Sequence, residues 1–306
     1  MKKMKKHSMY KKHVGITVCL LLVGALLSVG FTGISKAEPG YSGTIIYAGC
    51  RSSSYGPDPF PNDNEWERDI MTMASYWPGS QGTGIWIVGI LSLPDKVMCR
   101  LEFPAPDNGD YPYIIFENVD RHENYLDYFD NHGIKVWLQV EPAFADLPTL
   151  IDLVLDRYGH HECVIGFGVD VEWHEYDGVT DKWGVPLSDT EAENWENLVK
   201  AKNENYTLFV KHFDDSYMPP NYRGDIVFID DSQGFSGLNN VVEEFTNWGA
   251  HFDPALVEFQ FGYVRDRKWW SKLSDPPGDI GNAILSNVPN TSGLYWVDFT
   301  AYDIWP

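Results

Sequence analysis

Basic side chains are scarce in this sequence of 306 residues, where 23 Lys and Arg stand against 44 Asp and Glu. The formal charge of −21 repels the phosphates of nucleic acids and of anionic membranes, so we expect neither as a partner. The sequence also lacks the composition of a disordered chain, which has few apolar residues. Here 43% of the residues are hydrophobic and 15% are aromatic. The composition predicts a folded, acidic protein. Its aromatic side chains pack in the core or stack on a flat apolar ligand such as a sugar.

Several local catalytic signatures are absent as well. The sequence has no Walker loop, no His-Glu-x-x-His, no Cys-x-x-Cys and no Gly-x-Ser-x-Gly. These absences disfavour nucleotide hydrolysis, zinc proteolysis and serine esterase chemistry. We predict neither a cofactor nor a metal.

The amino-terminal segment has the pattern of a signal peptide. Residues 1–13 carry six Lys and no acid, and the run from Val14 to Phe31 is predominantly apolar. Ser35 and Ala37 are small residues of the kind a signal peptidase needs, so we expect cleavage after Ala37 and secretion. The alternative is an uncleaved anchor at the cell surface, because the apolar run is long enough to span a bilayer. Residues 38–306 are then expected to form one domain and a monomer.

Cysteine is rare after the predicted leader, where Cys50, Cys99 and Cys163 remain. An odd number allows one disulfide at most. We favour Cys50 with Cys99, because these residues follow directly on neighbouring predicted strands. Three buried free thiols are the alternative.

Strand-like and helix-like segments alternate along the rest of the chain. The apolar runs of strand length are 43–49, 84–91, 134–141, 163–173, 206–212, 225–230, 255–263 and 293–300. The segments with helical spacing are 65–76, 124–131, 147–158, 188–203, 238–248 and 279–287. This pattern predicts a (β/α)8 TIM barrel. An open doubly wound sheet would need a Gly-rich phosphate loop after the first strand, and residues 49–52 do not form one.

In a TIM barrel the chemistry lies at the carboxyl ends of the strands. Many polar residues fall there, and carboxylates dominate among them: Arg51, Glu141, Asp170, Glu172, His174, Lys211, His212, Asp230, Asp231, Gln233, Gln260, Tyr263, Arg265 and Asp298. His160, His161 and Glu162 resemble metal ligands, but they precede the fourth strand and therefore belong to the opposite end of the barrel.

The fourth strand carries the strongest signal. In the segment 166–173, period-two alternation points Asp170 and Glu172 to the same side, with Gly166 and Gly168 below them. Two carboxyls in one small, poorly solvated volume raise the pKa of one of them, which then holds a proton near neutral pH. A protonated acid of this kind can protonate a glycosidic oxygen. The alternative is that both acids only form ion pairs with Arg51, Lys211 or Arg265.

The segment GFGVDVEW resembles the fourth-strand signature of family 18 glycoside hydrolases, the chitinases and endo-β-N-acetylglucosaminidases. The resemblance implies that Glu172 is the proton donor and that Asp170 orients a substrate acetamido group acting as internal nucleophile. The segment 293–296 is similar to the closing strand of that family, which implies that Trp296 forms the floor of a sugar site.

The sequence departs from the family at two places. Gly168 replaces an earlier acid of the signature, and residues 138–141, ending in Glu141, replace a Ser-x-Gly-Gly motif. A shifted alignment would put His174 at the position of the donor. A barrel glycosidase outside family 18 is therefore the other interpretation, with Glu141, Asp230 or Asp231 acting opposite Glu172.

We predict a secreted glycoside hydrolase acting on a carbohydrate. Its predicted catalytic residues are Glu172, Asp170, Glu141 and Asp231. Its predicted sugar-binding residues are Trp296, Tyr263, Gln260, Asp298, Trp173, His212 and Asp230. Two alternatives remain: an inactive carbohydrate-binding barrel, and a metal-dependent hydrolase such as a deacetylase, with Asp170, His174, His212 and Asp230 around a divalent ion. The long loop 93–120 is expected to form one wall of the cleft.

Overall fold

A computed structural model describes residues 45–93, 97–179 and 183–305. The predicted signal peptide, residues 1–37, lies outside these ranges. All described residues belong to one compact unit. Among them, no helix has the length and apolar character needed to cross a membrane.

Eight parallel strands close into a barrel, which confirms the predicted (β/α)8 fold. In chain order the strands of the whole sheet are β1 Tyr47–Ser52, β2 Gln81–Ser92, β3 Met98–Leu101, β4 Ile114–Phe116, β5 Lys135–Val140, β6 Val164–Asp170, β7 Thr207–Lys211, β8 Ile226–Asp230, β9 Val257–Phe261 and β10 Thr291–Val297. The barrel runs β1-β2-β5-β6-β7-β8-β9-β10, and the pairing of β1 with both β2 and β10 closes it.

Helices cover most of the connections between barrel strands. They are α1 Asp63–Ser75, α2 Glu123–His132, α3 Leu147–Tyr158, α4 Asp189–Lys202, α5 Leu238–Phe252, α6 Arg267–Trp270, α7 Pro276–Leu285 and α8 Ala301–Ile304. Helix α4 begins as the sequence predicts, because the Ser188 hydroxyl accepts from the backbone N–H of Glu191 and the Glu191 carboxylate accepts from that of Ser188. The connection from β7 to β8, which the structure describes throughout, holds only a 3₁₀ turn, Asp215–Tyr217.

Two strands lie outside the barrel in the segment expected to be a loop. β2 has 12 residues, and its far end pairs antiparallel with β3, which in turn pairs with β4. Sequence analysis missed β3 and β4 because they have only four and three residues. The described residues of this segment do not line the cleft: Phe103, Pro106 and Tyr111 line a different cavity.

The barrel interior is filled by large side chains. Trp137 and Phe209 pack edge to face, with ring centroids 6.0 Å apart. Both are accommodated by glycines of β6: a Cβ on Gly168 would lie 2.0 Å from the Phe209 ring, and one on Gly166 would lie 2.8 Å from the Trp137 indole nitrogen. The glycines predicted below the two acids thus make room for the rings inside the barrel.

The cysteines Cys50, Cys99 and Cys163 are buried and unpaired, so the predicted disulfide between Cys50 and Cys99 is wrong. The reason lies in the register. Cys50 pairs with Gly84 of β2, whereas Cys99 pairs with Leu91 of the same strand. Those two positions are separated by roughly 23 Å of extended chain, far beyond the Cα separation that a disulfide spans.

Candidate active site

A cavity of about 660 Å³ opens at the carboxyl ends of the barrel strands. Its charged lining consists of Arg51, Asp170, Glu172, Lys211, Asp231, Glu244 and Arg265, and its aromatic lining of Tyr55, Trp173, Trp183, Phe213, Phe235, Tyr263 and Phe299. A concave site with several rings and a few converging charges suits a small polar ligand that has apolar faces.

Lys211 lies at the centre of the charged groups. Its ammonium nitrogen lies 2.9 Å from Oδ2 of Asp170 and 3.1 Å from Oε1 of Glu172, and it also contacts Asp231. The fold supplies this convergence, because Asp170 and Lys211 are paired residues at the ends of β6 and β7, and Asp231 directly follows β8. The side chain of Lys211 is only 3% exposed, so the three contacts lie in a poorly solvated place.

Glu172 reaches this centre by a turn and not by strand alternation. β6 ends at Asp170, and residues Val171–Trp173 form a 3₁₀ turn. The backbone N–H of His174 donates to the carbonyl of Val171 at 3.1 Å and fixes the turn. The two predicted acids therefore come together, but the strand ends three residues before the end of the predicted run 163–173.

The carboxyls around Lys211 differ in pKa. Burial and the negative charge of Asp231 hold the pKa of Glu172 well above its usual value. Burial also raises the pKa of Asp170, to about 7, although Lys211 opposes the shift. Burial favours a raised pKa for Asp231 too, but the charge of Lys211 and a hydrogen bond with Glu172 outweigh it and lower that pKa. Near neutral pH, Glu172 therefore holds a proton and Asp231 is ionised.

Lys211 stays charged in this setting. Burial lowers the pKa of Lys211, but the negative charges of Asp170, Asp231 and Glu172 outweigh burial and raise it well above its usual value. A lysine that remains an ammonium group is not a nucleophile. Its effect on the site is therefore electrostatic.

Glu141 lies behind this centre and does not line the cavity. Tyr55 donates its hydroxyl to one oxygen of Glu141, and the backbone N–H of Leu91 donates to the other at 2.7 Å. Arg51 in turn donates to Tyr55 and forms an ion pair with Asp298. Because Glu141 does not line the cavity, its role opposite Glu172 stays a prediction.

Four predicted sugar-binding residues line the cavity or contact residues that line it. Trp173 and Tyr263 line it, and the Tyr263 hydroxyl lies 3.4 Å from Oδ2 of Asp231 and 3.3 Å from Oε1 of Gln260. Gln260 is fully buried, and its amide nitrogen has no hydrogen-bond partner. Asp298 is buried too, accepting from Arg51 and from both the backbone N–H and the hydroxyl of Ser53.

The interpretation of Trp296 as the floor of a sugar site is wrong. Its ring is fully buried on the outer side of the barrel, where it packs against Phe261, Trp270 and Trp305. Its indole N–H donates to the Thr300 hydroxyl at 2.9 Å. Side chains alternate along a strand, and the neighbouring Tyr295 is the one that points into the barrel.

Asp230 and His212 are likewise absent from the cavity lining. Ile229 belongs to the cluster inside the barrel, so by alternation Asp230 points outward, and its Oδ1 accepts from the backbone N–H of Ser232 at 2.7 Å. The ring of His212 stacks on Tyr217 with centroids 4.3 Å apart. Both of its nitrogens have partners, the Trp183 carbonyl and the Asp214 backbone N–H.

The alternative of a metal ion held by Asp170, His174, His212 and Asp230 does not match this arrangement. The ring of His174 packs edge to face against Trp195, and His212 has no free nitrogen. Within the described ranges, the groups of His, Asp and Glu that are close enough to share an ion lie elsewhere, on α2 and in the turn before β6.

Comparison with known proteins finds similarity to solved structures only at low sequence identity. No family model and no curated protein matches the sequence. A β-glucuronidase from Parabacteroides merdae aligns with a TM-score of 0.46 and 12% identity, over 83% of this chain and 31% of its own. An endocellulase from Pyrococcus horikoshii, in complex with cellotetraose, aligns with a TM-score of 0.46 and 16% identity, over 83% and 84%. The chain thus spans about a third of the length of the glucuronidase. Membership of family 18 stays a prediction.

Sequence analysis did not anticipate that Lys211 contacts three carboxyls at once. The sequence did place Lys211 at the end of a strand. It also offered ion pairs with Asp170 and Glu172 as the alternative to a catalytic role for these acids. The contact with Asp231 depends on the closure of the barrel, which brings β6, β7 and β8 side by side. The aromatic residues on the loops, such as Trp183 and Phe299, show no periodicity that would mark them.

Proposed function

We propose that this protein is a glycoside hydrolase in which Glu172 protonates the departing glycosidic oxygen and Asp231 is the ionised carboxylate opposite it. The observation that carries the proposal is the pair of opposite pKa shifts on two carboxyls that touch one ammonium group. A protonated acid beside an ionised one is what acid-assisted cleavage of an acetal requires.

The spacing of the two carboxyls favours retention of configuration. An inverting enzyme needs roughly 6.5–9.5 Å between them, so that a water molecule fits beside the sugar. Here both carboxyls contact the ammonium group of Lys211 and a hydrogen bond joins them, which leaves no such gap. The roughly 5–5.5 Å of a retaining pair is reached once the substrate displaces that hydrogen bond. Asp231 is then the nucleophile, or it orients an acetamido group of the substrate that takes this part. Asp170, which also contacts Lys211, supports the charge balance.

The rest of the cavity supports a sugar as the ligand. Trp173 and Trp183 pack edge to face at one side, with centroids 5.6 Å apart, and Tyr263 lines the cavity as well. Such rings stack on the apolar faces of pyranoses, while Gln233 and Arg265 offer donors for hydroxyl groups. Secretion, a monomeric state and action on an extracellular glycan belong to the same proposal. The predicted leader supports the first of these, secretion.

The test is a screen of the purified protein against polysaccharides and N-acetylated oligosaccharides, beside Glu172→Gln and Glu243→Gln. The first variant keeps the shape and removes the proton, and we expect it to lower kcat by at least about a hundredfold. Glu243 is exposed on α5, so its substitution controls for the lost charge and should leave turnover unchanged. Equal turnover in the parent and in Glu172→Gln would refute the role of Glu172.

The identity of the nucleophile has its own test. In Asp231→Ala, added azide can enter the vacated space and attack the anomeric carbon in place of the carboxylate. Recovery of turnover with a glycosyl azide product would support Asp231 as nucleophile. If Asp231→Ala without azide retains turnover only on substrates with a 2-acetamido group, this result would support the substrate-assisted route. Binding of a glycan without cleavage by the parent protein would favour the inactive carbohydrate-binding barrel.

A further inference from the structure

A second cluster of ionisable side chains lies at the amino-terminal end of β6, away from the cavity at the carboxyl ends. His160 and His161 belong to the turn between α3 and β6, and Glu123 is the first residue of α2. Oε1 of Glu123 lies 3.3 Å from Nε2 of His160 and 3.6 Å from Nε2 of His161. The three candidate ligand atoms all lie within 4.8 Å of one another.

The second nitrogen of each imidazole is held by an oxygen acceptor. Nδ1 of His161 lies 2.7 Å from Oδ2 of Asp130, and Nδ1 of His160 lies 2.9 Å from the carbonyl oxygen of Arg157. An oxygen acceptor places the proton on Nδ1, so each Nε2 presents a lone pair toward Glu123. Histidines that bind metal ions are oriented by the same kind of hydrogen bond.

His161 supplies an independent sign that a ligand belongs here. Its side chain is 1% exposed, and its Nε2 has no hydrogen-bond partner. The distance of 3.6 Å to Glu123 is too long for a hydrogen bond, and burial of an unpaired nitrogen is costly. A cation between the two side chains would satisfy this nitrogen.

Glu123 is not needed to cap its own helix. The backbone N–H groups of His122 and Glu123 both donate to Oδ1 of Asp120, at 2.8 and 3.1 Å. The carboxylate of Glu123 is thus free of that task, and it points at the two histidines. The sequence had suggested His160, His161 and Glu162 as ligand-like residues, but Glu162 is exposed and Glu123 takes its place in the cluster.

We propose that Glu123, His160 and His161 bind a Zn²⁺ ion through one carboxylate oxygen and two Nε2 atoms. Zinc bonds of about 2.0–2.2 Å put the ligand atoms of a tetrahedron roughly 3.3–3.5 Å apart, close to the 3.3 and 3.6 Å found here. Asp130 and the Arg157 carbonyl hold the imidazoles from behind. The net negative charge of the chain favours cation binding.

The proposed site has three protein ligands and borders a cavity of about 670 Å³ that Glu123 and His160 help to line. We place the fourth coordination position on the cavity side, where water fills it. The ion would tie α2 to the turn that leads into β6, so binding should stabilise the folded chain.

The test uses the purified protein, stripped with EDTA and dialysed, then titrated with Zn²⁺ by calorimetry. We expect one Zn²⁺ per chain, and at least a hundredfold weaker binding in His160→Ala and in Glu123→Gln. The His160 side chain is 59% exposed, so its removal should leave the fold intact. The control is His132→Ala, an exposed histidine at the other end of α2, which should bind Zn²⁺ as the parent does.

Thermal unfolding gives a second readout that is independent of any enzymatic activity. At a Zn²⁺ concentration a hundredfold above Kd, the Tm of the parent and of His132→Ala should rise by roughly 5 °C. The Tm of His160→Ala should not change with Zn²⁺. The proposal is overturned if the parent binds no stoichiometric Zn²⁺, if His160→Ala binds as tightly as the parent, or if His132→Ala loses as much affinity as His160→Ala.

Discussion

Replacement of Lys211 by Met tests whether the carboxyls of the barrel mouth depend on one ammonium group. The variant keeps much of the side-chain volume and removes the charge that contacts Asp170, Glu172 and Asp231. Loss of one partner from a buried ion pair typically costs about 3–5 kcal/mol. Glu172 already holds a proton, so the ionised carboxyls that lose their partner are Asp170 and Asp231. We expect the free energy of unfolding at pH 8 to fall by about this amount.

The same loss should shrink toward acidic pH. In the parent, the pKa of Asp231 is lowered in the folded state, so its contribution to stability is present above the unfolded pKa of 3.8 and is still intact at pH 5. In Lys211→Met the folded state has no cation to hold Asp231 ionised, and the carboxyl can take up a proton at little cost at pH 5. The difference in unfolding free energy between the parent and the variant should therefore fall from pH 8 to pH 5.

The assay is urea unfolding at pH 5, 6.5 and 8, with Lys200→Met as the matched control. Lys200 also forms an ion pair with an aspartate, Asp225, but this pair is largely exposed. Its loss should cost no more than about 1 kcal/mol, with little dependence on pH in this range. If Lys211→Met is no less stable than Lys200→Met at pH 8, or if its deficit is independent of pH, the electrostatic account of the site is wrong.

Further predictions concern pH and packing. The pKa shifts predict that kcat/KM falls at alkaline pH when Glu172 loses its proton and at low pH when Asp231 gains one, and a pH profile of the hydrolysis should show both limbs. Burial raises the pKa of Glu258 to about 7, so the folded state retains a proton that the unfolded chain releases, and stability falls as the pH rises from about 4.5 to 7. Glu258→Gln should remove this fall, a change of up to about 3 kcal/mol in urea unfolding, and an unchanged pH dependence would contradict it. Gly168→Ala should cost at least about 1–3 kcal/mol, because its Cβ would meet an aromatic ring at 2.0 Å, whereas Gly84→Ala in β2 finds ordinary contacts at 3.5 Å and should be tolerated.

Most of the barrel could be predicted from the sequence because buried parallel strands are apolar on both faces and helices begin at recognisable caps. The capping box of Ser188 and Glu191 shows how local such a signal is. The short strands β3 and β4 have no such local signal. Strand β3 forms because β2 is unusually long and its far end offers a pairing partner.

The site was harder to predict because a shift of one residue reverses the side to which a side chain points. Sequence analysis could not distinguish Asp230 from Asp231, and the outcome depends on where β8 ends. The sugar-binding role of Trp296 was inferred from a family resemblance. The side to which its side chain points depends on the register of β10, which shifts between Thr291 and Gly293. The 3₁₀ turn that places Glu172 also breaks the periodicity from which its position was inferred.

The three unpaired cysteines have a practical consequence for measuring motion in this barrel. Burial raises the pKa of the Cys50, Cys99 and Cys163 thiols, so a disulfide-exchange reagent reacts with them only after the chain around them opens. Cys50 lies on the strand that closes the barrel, Cys163 directly precedes β6, and Cys99 lies on β3, outside the barrel. Their labelling rates would therefore report the opening of three separate parts of the native protein without any engineered probe.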